Sequence, residues 1–163
     1  MDKTLVAYFS ASGVTEKLAK KLAQAVGGNL HEIVPETPYT KEDLNWMDKQ
    51  SRSSKEMADR TSRPKIANRV EHMEEYDVVY IGFPVWWYRE PSIIDTFMEN
   101  EDLSGKVVIP FATSGGSPIG DAGKNMQQLD TGANVLAGKK LAAAMSVDEL
   151  KEWSEEMMKK AQL

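Results

Sequence analysis

Short, nearly continuous apolar runs alternate with amphipathic stretches along this chain of 163 residues. The run Thr4–Phe9 has the unbroken apolar character of a parallel strand buried on both faces. Val14, Leu18 and Leu22 follow at i, i+4 and i+8 with lysines between them, which predicts one amphipathic helix ended by Gly27-Gly28. Leu30–Val34 reads as a weaker second strand, and Asp77–Gly82 and Lys106–Phe111 as the third and fourth. Between these two, Pro91 stands where the first turn of a helix tolerates it, and Ile94, Phe97 and Met98 mark a buried face. Asn134–Leu136, extending toward Leu141, supplies a fifth strand. The last helix opens on the capping box Ser146-Val-Asp-Glu149 and closes on Lys159-Lys160, in line with its dipole.

Strands alternating with helices in this order imply right-handed crossovers and an α/β, doubly wound, five-stranded parallel sheet. The whole chain, 1–163, reads as one domain. Residues 35–75 are a long polar excursion within it, carrying Pro35, Pro38 and Pro64 and too few apolar side chains for a second core. Thr40–Asp43 and Ser51–Arg60 are expected there as short helices.

Composition narrows the chemistry. With no cysteine, disulfides, thiolate catalysis and iron–sulfur ligation are excluded, and His31 and His72 alone make a poor metal site. The net charge of −5 repels a phosphate backbone, so nucleic acid is not an expected partner. The longest apolar stretches fall far short of the ~20 residues of a membrane span. Met1-Asp2-Lys3 leads straight into the first strand without the pattern of a signal peptide, so a cytoplasmic protein is expected.

In an open parallel sheet, ligands bind beyond the carboxyl ends of the strands near the switch in strand order. Three such ends carry unusual residues. Ser10-Ala-Ser12-Gly13-Val14-Thr15 joins the first strand to the first helix, whose unpaired amides suit an anion. It lacks the Gly-Lys-Ser/Thr ending of a P-loop and the Gly-x-Gly-x-x-Gly of a dinucleotide fold, and a neutral cradle suits one terminal phosphate without a metal. An ordinary capped turn would read the same. After the third strand, Gly82-Phe-Pro84-Val85-Trp86-Trp87-Tyr88-Arg89 sets three aromatics in a row. Alternation prevents all three from facing the core, and stacking on a planar ring would be worth roughly 0.5–1.5 kcal/mol. Packing under the next helix is the plainer alternative. After the fourth strand, Thr113-Ser114-Gly115-Gly116-Ser117-Pro118-Ile119-Gly120 is a loop whose main chain can face a polar ligand edge, or simply a surface loop.

Two other chemistries fail on position. Ser114 loosely mimics a hydrolase nucleophile elbow, but both histidines precede it, the wrong order for an α/β-hydrolase triad. A receiver domain would need an acidic pair after the first strand, where Ser10 stands, and an Asp ending the third, where Phe83-Pro84 stand.

Taken together, the three loops resemble those of the flavodoxin family. Ser10-x-Ser12-Gly13-x-Thr15-Glu16 is similar to its phosphate loop, and Gly82-x-x-x-Trp86 to its second flavin loop. Tyr39-Thr40-x-Glu42-Asp43-Leu44-Asn45-Trp46, Ser62-Arg63-Pro64-x-Ile66, Pro84-x-Trp86-Trp87 and Phe111-x-Thr113-Ser114-Gly115-Gly116-Ser117 resemble a bacterial flavodoxin-like subgroup. The resemblance implies strand order 2-1-3-4-5 and FMN at the strand ends. Ser10, Ser12, Gly13, Val14 and Thr15 would hold the phosphate. Pro84, Val85, Trp86, Trp87, Thr113, Ser114, Gly115 and Gly116 would hold the ring. In the family the flavin does the redox chemistry, so no catalytic side chain is expected. An electron-transfer role is implied, with a redox partner protein or a small-molecule acceptor.

Two departures from the family pattern open an alternative. The third loop is rich in Gly and Ser, so the acidic shell that disfavours an anionic reduced flavin is thin. Trp87 stands where many flavodoxins have a glycine whose peptide flips to stabilise the one-electron state; a bulky residue makes positive φ cost roughly 1–2 kcal/mol. NAD(P)H-dependent reduction of quinones or other acceptors is therefore the alternative. Arg89 is its one candidate for gripping a nucleotide phosphate, against a solvated surface arginine. A flavin-free interaction module is a third reading.

Overall fold

The computed structural model describes residues 3–113 and 118–161. The elements run β1 (Thr4–Tyr8), α1 (Val14–Val26), β2 (Asn29–Glu32), α2 (Arg52–Ala58), β3 (Val78–Pro84), α3 (Ser92–Asn100), β4 (Val107–Thr113), α4 (Ala122–Leu129), β5 (Asn134–Val135), β6 (Lys139–Lys140) and α5 (Val147–Ala161). The sheet order is β2-β1-β3-β4-β5, every pairing is parallel, and β6 also pairs with β4.

The pleat divides each apolar run between two cores. Leu5, Ala7, Val79, Ile81 and Phe83 face one side with Ile93, Ile94 and Phe97 of α3. Val6, Tyr8, Val78, Tyr80, Ile109 and Phe111 face the other with Leu18 and Leu22 of α1 and Leu150, Trp153 and Met157 of α5. Because both faces are buried, a one-residue slip would exchange the two sets against differently shaped helices; this fixes Leu5 opposite Val79 and Val79 opposite Val108.

Three elements depart from the sequence pattern. Val14 is 42% exposed, because the first turn of α1 projects past the carboxyl edge of the sheet while Leu18 and Leu22 lie over it. The fifth strand is broken into β5 and β6, with Gly138 at φ 74 between them. Thr40–Asp43 forms turns rather than a helix. Thr40 and Asp43 bond each other's backbone amides (2.9 and 3.1 Å), and Asn45 and Asp48 accept from the amides of Met47 and Gln50. Side-chain oxygens thus take donors that a helix would need. The expected helix at Ser51–Arg60 forms as α2, with the Ser51 hydroxyl accepting from the Ser54 amide. The excursion closes on itself where Pro35 pairs with Ile66 and the Ala67 amide donates to Val34. The capping box of α5 forms reciprocally, Ser146 N–H to Glu149 and Glu149 N–H to Ser146. Among the described residues no helix is long and apolar enough to cross a membrane.

Candidate functional site

Side by side at the carboxyl edge, β1, β3 and β4 deliver their loops to one place. A cavity of about 660 Å³ opens there, lined by Ser12, Val14, Pro84, Val85, Trp86 and Thr113 from the three sequence-predicted loops. Lys140, Leu141, Ala142 and Ala143, which sequence reasoning missed, complete its described lining.

The first loop leaves helix amides unpaired. Gly13 caps α1 in the left-handed region (φ 90), and among the described residues no side chain caps the helix, so its first-turn amides have no side-chain acceptor there. Ser10 is spent locally, its hydroxyl accepting from the Gly13 amide at 3.0 Å, while Ser12 is exposed on the cavity. Thr15 is buried, and its hydroxyl bonds that of Thr113 at 2.7 Å. It ties α1 to the end of β4 and does not face outward. Ser114, Gly115 and Gly116 lie outside the described residues.

The second loop is held from behind. Trp86 meets Phe9 and Tyr39 edge-on, with centroids 5.7 and 5.5 Å apart. Tyr39 is fixed in turn by a hydrogen bond to Glu56 and by Arg52 lying 3.8 Å over its ring. Burial, then the bond to Glu56, push the Tyr39 hydroxyl far above the usual tyrosine range, so it stays protonated as a donor. The excursion therefore buttresses the aromatic loop through Tyr39.

Trp86 and Arg89 then exchange backbone hydrogen bonds (3.1 and 3.2 Å) around a two-residue turn in which Trp87 and Tyr88 both have positive φ, 49 and 63. That is the signature of a type I′ turn, which ordinarily takes Asn or Gly, and each bulky residue costs roughly 1–2 kcal/mol there. Trp87 thus already sits in the conformation the sequence argument took it to resist. Beside this turn is a second cavity of about 430 Å³, lined by Leu44, Trp46, Ser53, Val85, Trp86, Trp87 and Tyr88.

Arg89 is neither a phosphate grip nor a solvated surface residue: it is 7% exposed. Its guanidinium lies 3.8 Å from Glu90 and 3.5 Å from Asp95, and donates to the carbonyls of Met57 and Glu90. Through Met57 it pins α2, and with it the excursion, against the start of α3. Arg63 approaches Asp95 at 4.0 Å, and Asn125 donates to Glu90 at 3.1 Å.

Burial above all, followed by the hydrogen bond to Glu90 and its charge, pushes the Asp95 carboxyl up to about 9, against the pull of Arg89 and Arg63. The folded state therefore holds a proton that the unfolded chain releases near its ordinary pKa. Stability from this group is complete below that ordinary value and is lost as pH rises through about 9. The slope for one such proton is at most about 1.4 kcal/mol per pH unit. Asp95→Asn is expected to flatten the pH dependence of the melting temperature between neutral pH and pH 9, measured by circular dichroism against the wild type. An unchanged slope in the variant would rule this assignment out.

Lys140 is the one charged side chain among the described residues lining the larger cavity. The Gly138 break brings it there, and Lys21 holds the following segment by donating to the carbonyls of Ala143 and Met145 (2.8 and 2.6 Å). No sequence motif marks these residues, because their role arises from where β6 ends beside β4.

A parallel sheet in the order 2-1-3-4-5, with one cavity across its carboxyl edge and an uncapped helix start opening on it, defines a flavodoxin-like α/β protein. The family model described as flavodoxin matches residues 3–157, and the chain belongs to the flavodoxin family. It is similar to a candidate flavoprotein of Bacteroides eggerthii, with 45% identity and a TM-score of 0.91 over 97% of this chain and 99% of that one. Another from Bacteroides uniformis is 49% identical, with a TM-score of 0.89 over 94% and 98% of the two chains. A Lactobacillus acidophilus flavoprotein solved in complex with FMN is 23% identical and shares the fold, with a TM-score of 0.70 over 94% and 99%. No curated protein matches the chain.

Proposed function

We propose that this chain binds FMN non-covalently across the carboxyl ends of β1, β3 and β4 and carries electrons through it. One observation carries the reading: the uncapped start of α1 and the aromatic loop open on the same cavity of about 660 Å³. The residues fit the cofactor. Ser12 and the amides of Val14 and Thr15 supply donors for a terminal phosphate, while Pro84, Val85 and Trp86 supply an apolar wall for a planar ring. The FMN complex of the Lactobacillus acidophilus protein supports the same choice.

When bound, the isoalloxazine would supply the redox chemistry, and the chain's own part is binding, orientation and electrostatics. The buried Thr15–Thr113 pair sets the spacing between the phosphate loop and the end of β4. The Phe9–Tyr39–Trp86 cluster keeps the indole fixed and excludes water behind it. Lys140 offsets negative charge in a cavity with no carboxylate among its described lining.

Electron carriage is favoured over NAD(P)H-driven reduction because Arg89 is withdrawn from solvent and Lys140 alone is a small charge with which to hold a dinucleotide. The FMN-loaded protein, reduced under argon and desalted, is expected to reduce cytochrome c stoichiometrically while oxidising NADPH negligibly by itself. Steady NADPH oxidation by the protein alone would transfer the assignment to the reductase.

Lys140→Gln is expected to weaken FMN binding about three- to tenfold at low salt, as for one exposed charge acting on a phosphate. The difference should shrink in high salt, and riboflavin, lacking the phosphate, should bind both proteins alike. Equal losses for the two flavins in isothermal titration would remove Lys140 from the phosphate's neighbourhood.

A further inference from the structure

The second cavity is uncharged and aromatic, and it shares Val85 and Trp86 with the larger one. Its rim holds three of the six exposed large apolar side chains among the described residues: Trp46 is 71% exposed, Tyr88 67%, and Trp87 nearly half-exposed. A soluble chain rarely leaves such a cluster open without a use for it. At about 430 Å³ it has the size of a small-molecule site.

Besides the indole N–H groups and the Tyr88 hydroxyl, one small polar side chain, Ser53, stands in the described lining. Ser53 is buried to 2% exposure, and its hydroxyl has no hydrogen-bond partner, although its backbone amide is satisfied by the Asp43 carbonyl. A buried hydroxyl without a partner is uncommon and calls for an explanation. Ser53 is itself part of the cavity's lining, so its hydroxyl is a donor that a ligand oxygen there would satisfy.

We propose that this cavity binds an uncharged, planar aromatic molecule bearing a carbonyl, of the quinone class. The ring would lie among Trp46, Trp87 and Tyr88, and Ser53 would donate to the carbonyl. No Lys or Arg stands among the described lining residues, which selects against nucleotides, and the aromatic faces select a flat ring over an aliphatic chain. The inference deepens the electron-transfer reading by naming the class of small molecule that docks one loop away from the cofactor cavity.

The test is a titration of the full chain, isotopically labelled and with and without FMN, by menadione and by 2-methylnaphthalene, followed in amide and indole NMR spectra. The chain has no cysteine, so menadione forms no thiol adduct. Saturable shifts are expected at Trp46, Ser53 and Trp87, and Trp46→Ala should weaken menadione binding about tenfold. Ser53→Ala should weaken menadione about threefold and leave the naphthalene, which has no carbonyl, unchanged. Losing a partnerless hydroxyl should not unfold the chain. Shifts confined to Ser12 and Thr113, equal affinity in Trp46→Ala, or a dimer in sedimentation that covers Trp46 and Tyr88 would overturn the proposal. Because the titration is read with and without FMN, failure to bind FMN leaves this result standing on its own.

Discussion

Arg89→Met is expected to destabilise the fold by about 3–5 kcal/mol, the range for removing one partner of a buried ion pair. Arg89 is the only cation within 4 Å of Glu90 among the described residues, and Glu90 is 1% exposed. Methionine fills much of the arginine stem's volume, so the loss is chiefly electrostatic, together with two hydrogen bonds to carbonyls. Glu90→Gln in the same chain removes the stranded charge and should recover about half of the loss. Urea denaturation of the two single variants and the double variant measures the coupling. Additive losses would mean that Arg89 acts through packing and its bonds to the carbonyls rather than through the Glu90 carboxylate. The single variant should also loosen α2, because Met57 loses its donor, and limited proteolysis should then cut within 35–75 before the rest of the chain.

Gly138→Ala is the second large effect, expected at about 3 kcal/mol. A Cβ at this position would overlap the Pro110 carbonyl oxygen and come within 2.9 Å of the Pro110 side chain, at a φ of 74 that L-residues avoid. Backbone of the central strand β4 is the obstacle, so no side-chain rotation relieves it. For a chain of this size the melting temperature should fall by on the order of 10 °C. The segment that follows Gly138 carries Lys140 and Leu141 to the cofactor cavity, so FMN affinity should fall as well. A variant with wild-type stability would mean that β5 and β6 can join without the break.

How much of this was legible in the sequence depends on which force shaped each part. The central strands could be read because burial on both faces leaves an unbroken apolar run, as in Val78–Phe83. Ser146 marked a helix start because a capping box is a pair of local bonds between near neighbours. The Ser10–Thr15, Pro84–Trp86 and Thr113 ends could be placed at one cavity because strand order brings carboxyl ends together. What escaped was non-local. Arg89 reads as a surface charge until Glu90, Asp95 and the Met57 carbonyl are seen around it. The Trp87–Tyr88 turn contradicts the residue preferences of its own turn type, so no local rule finds it. Lys140 reaches the cavity through a two-residue strand beyond a glycine break, too short to announce itself.

The most direct test of the central claim is a fluorescence titration of flavin-stripped protein with FMN and, separately, with riboflavin. The account predicts saturable quenching at one FMN per chain, with riboflavin bound about tenfold more weakly for want of the phosphate at the start of α1. No saturable quenching by either flavin would contradict it and leave the cavity at the carboxyl edge of the sheet without its proposed cofactor.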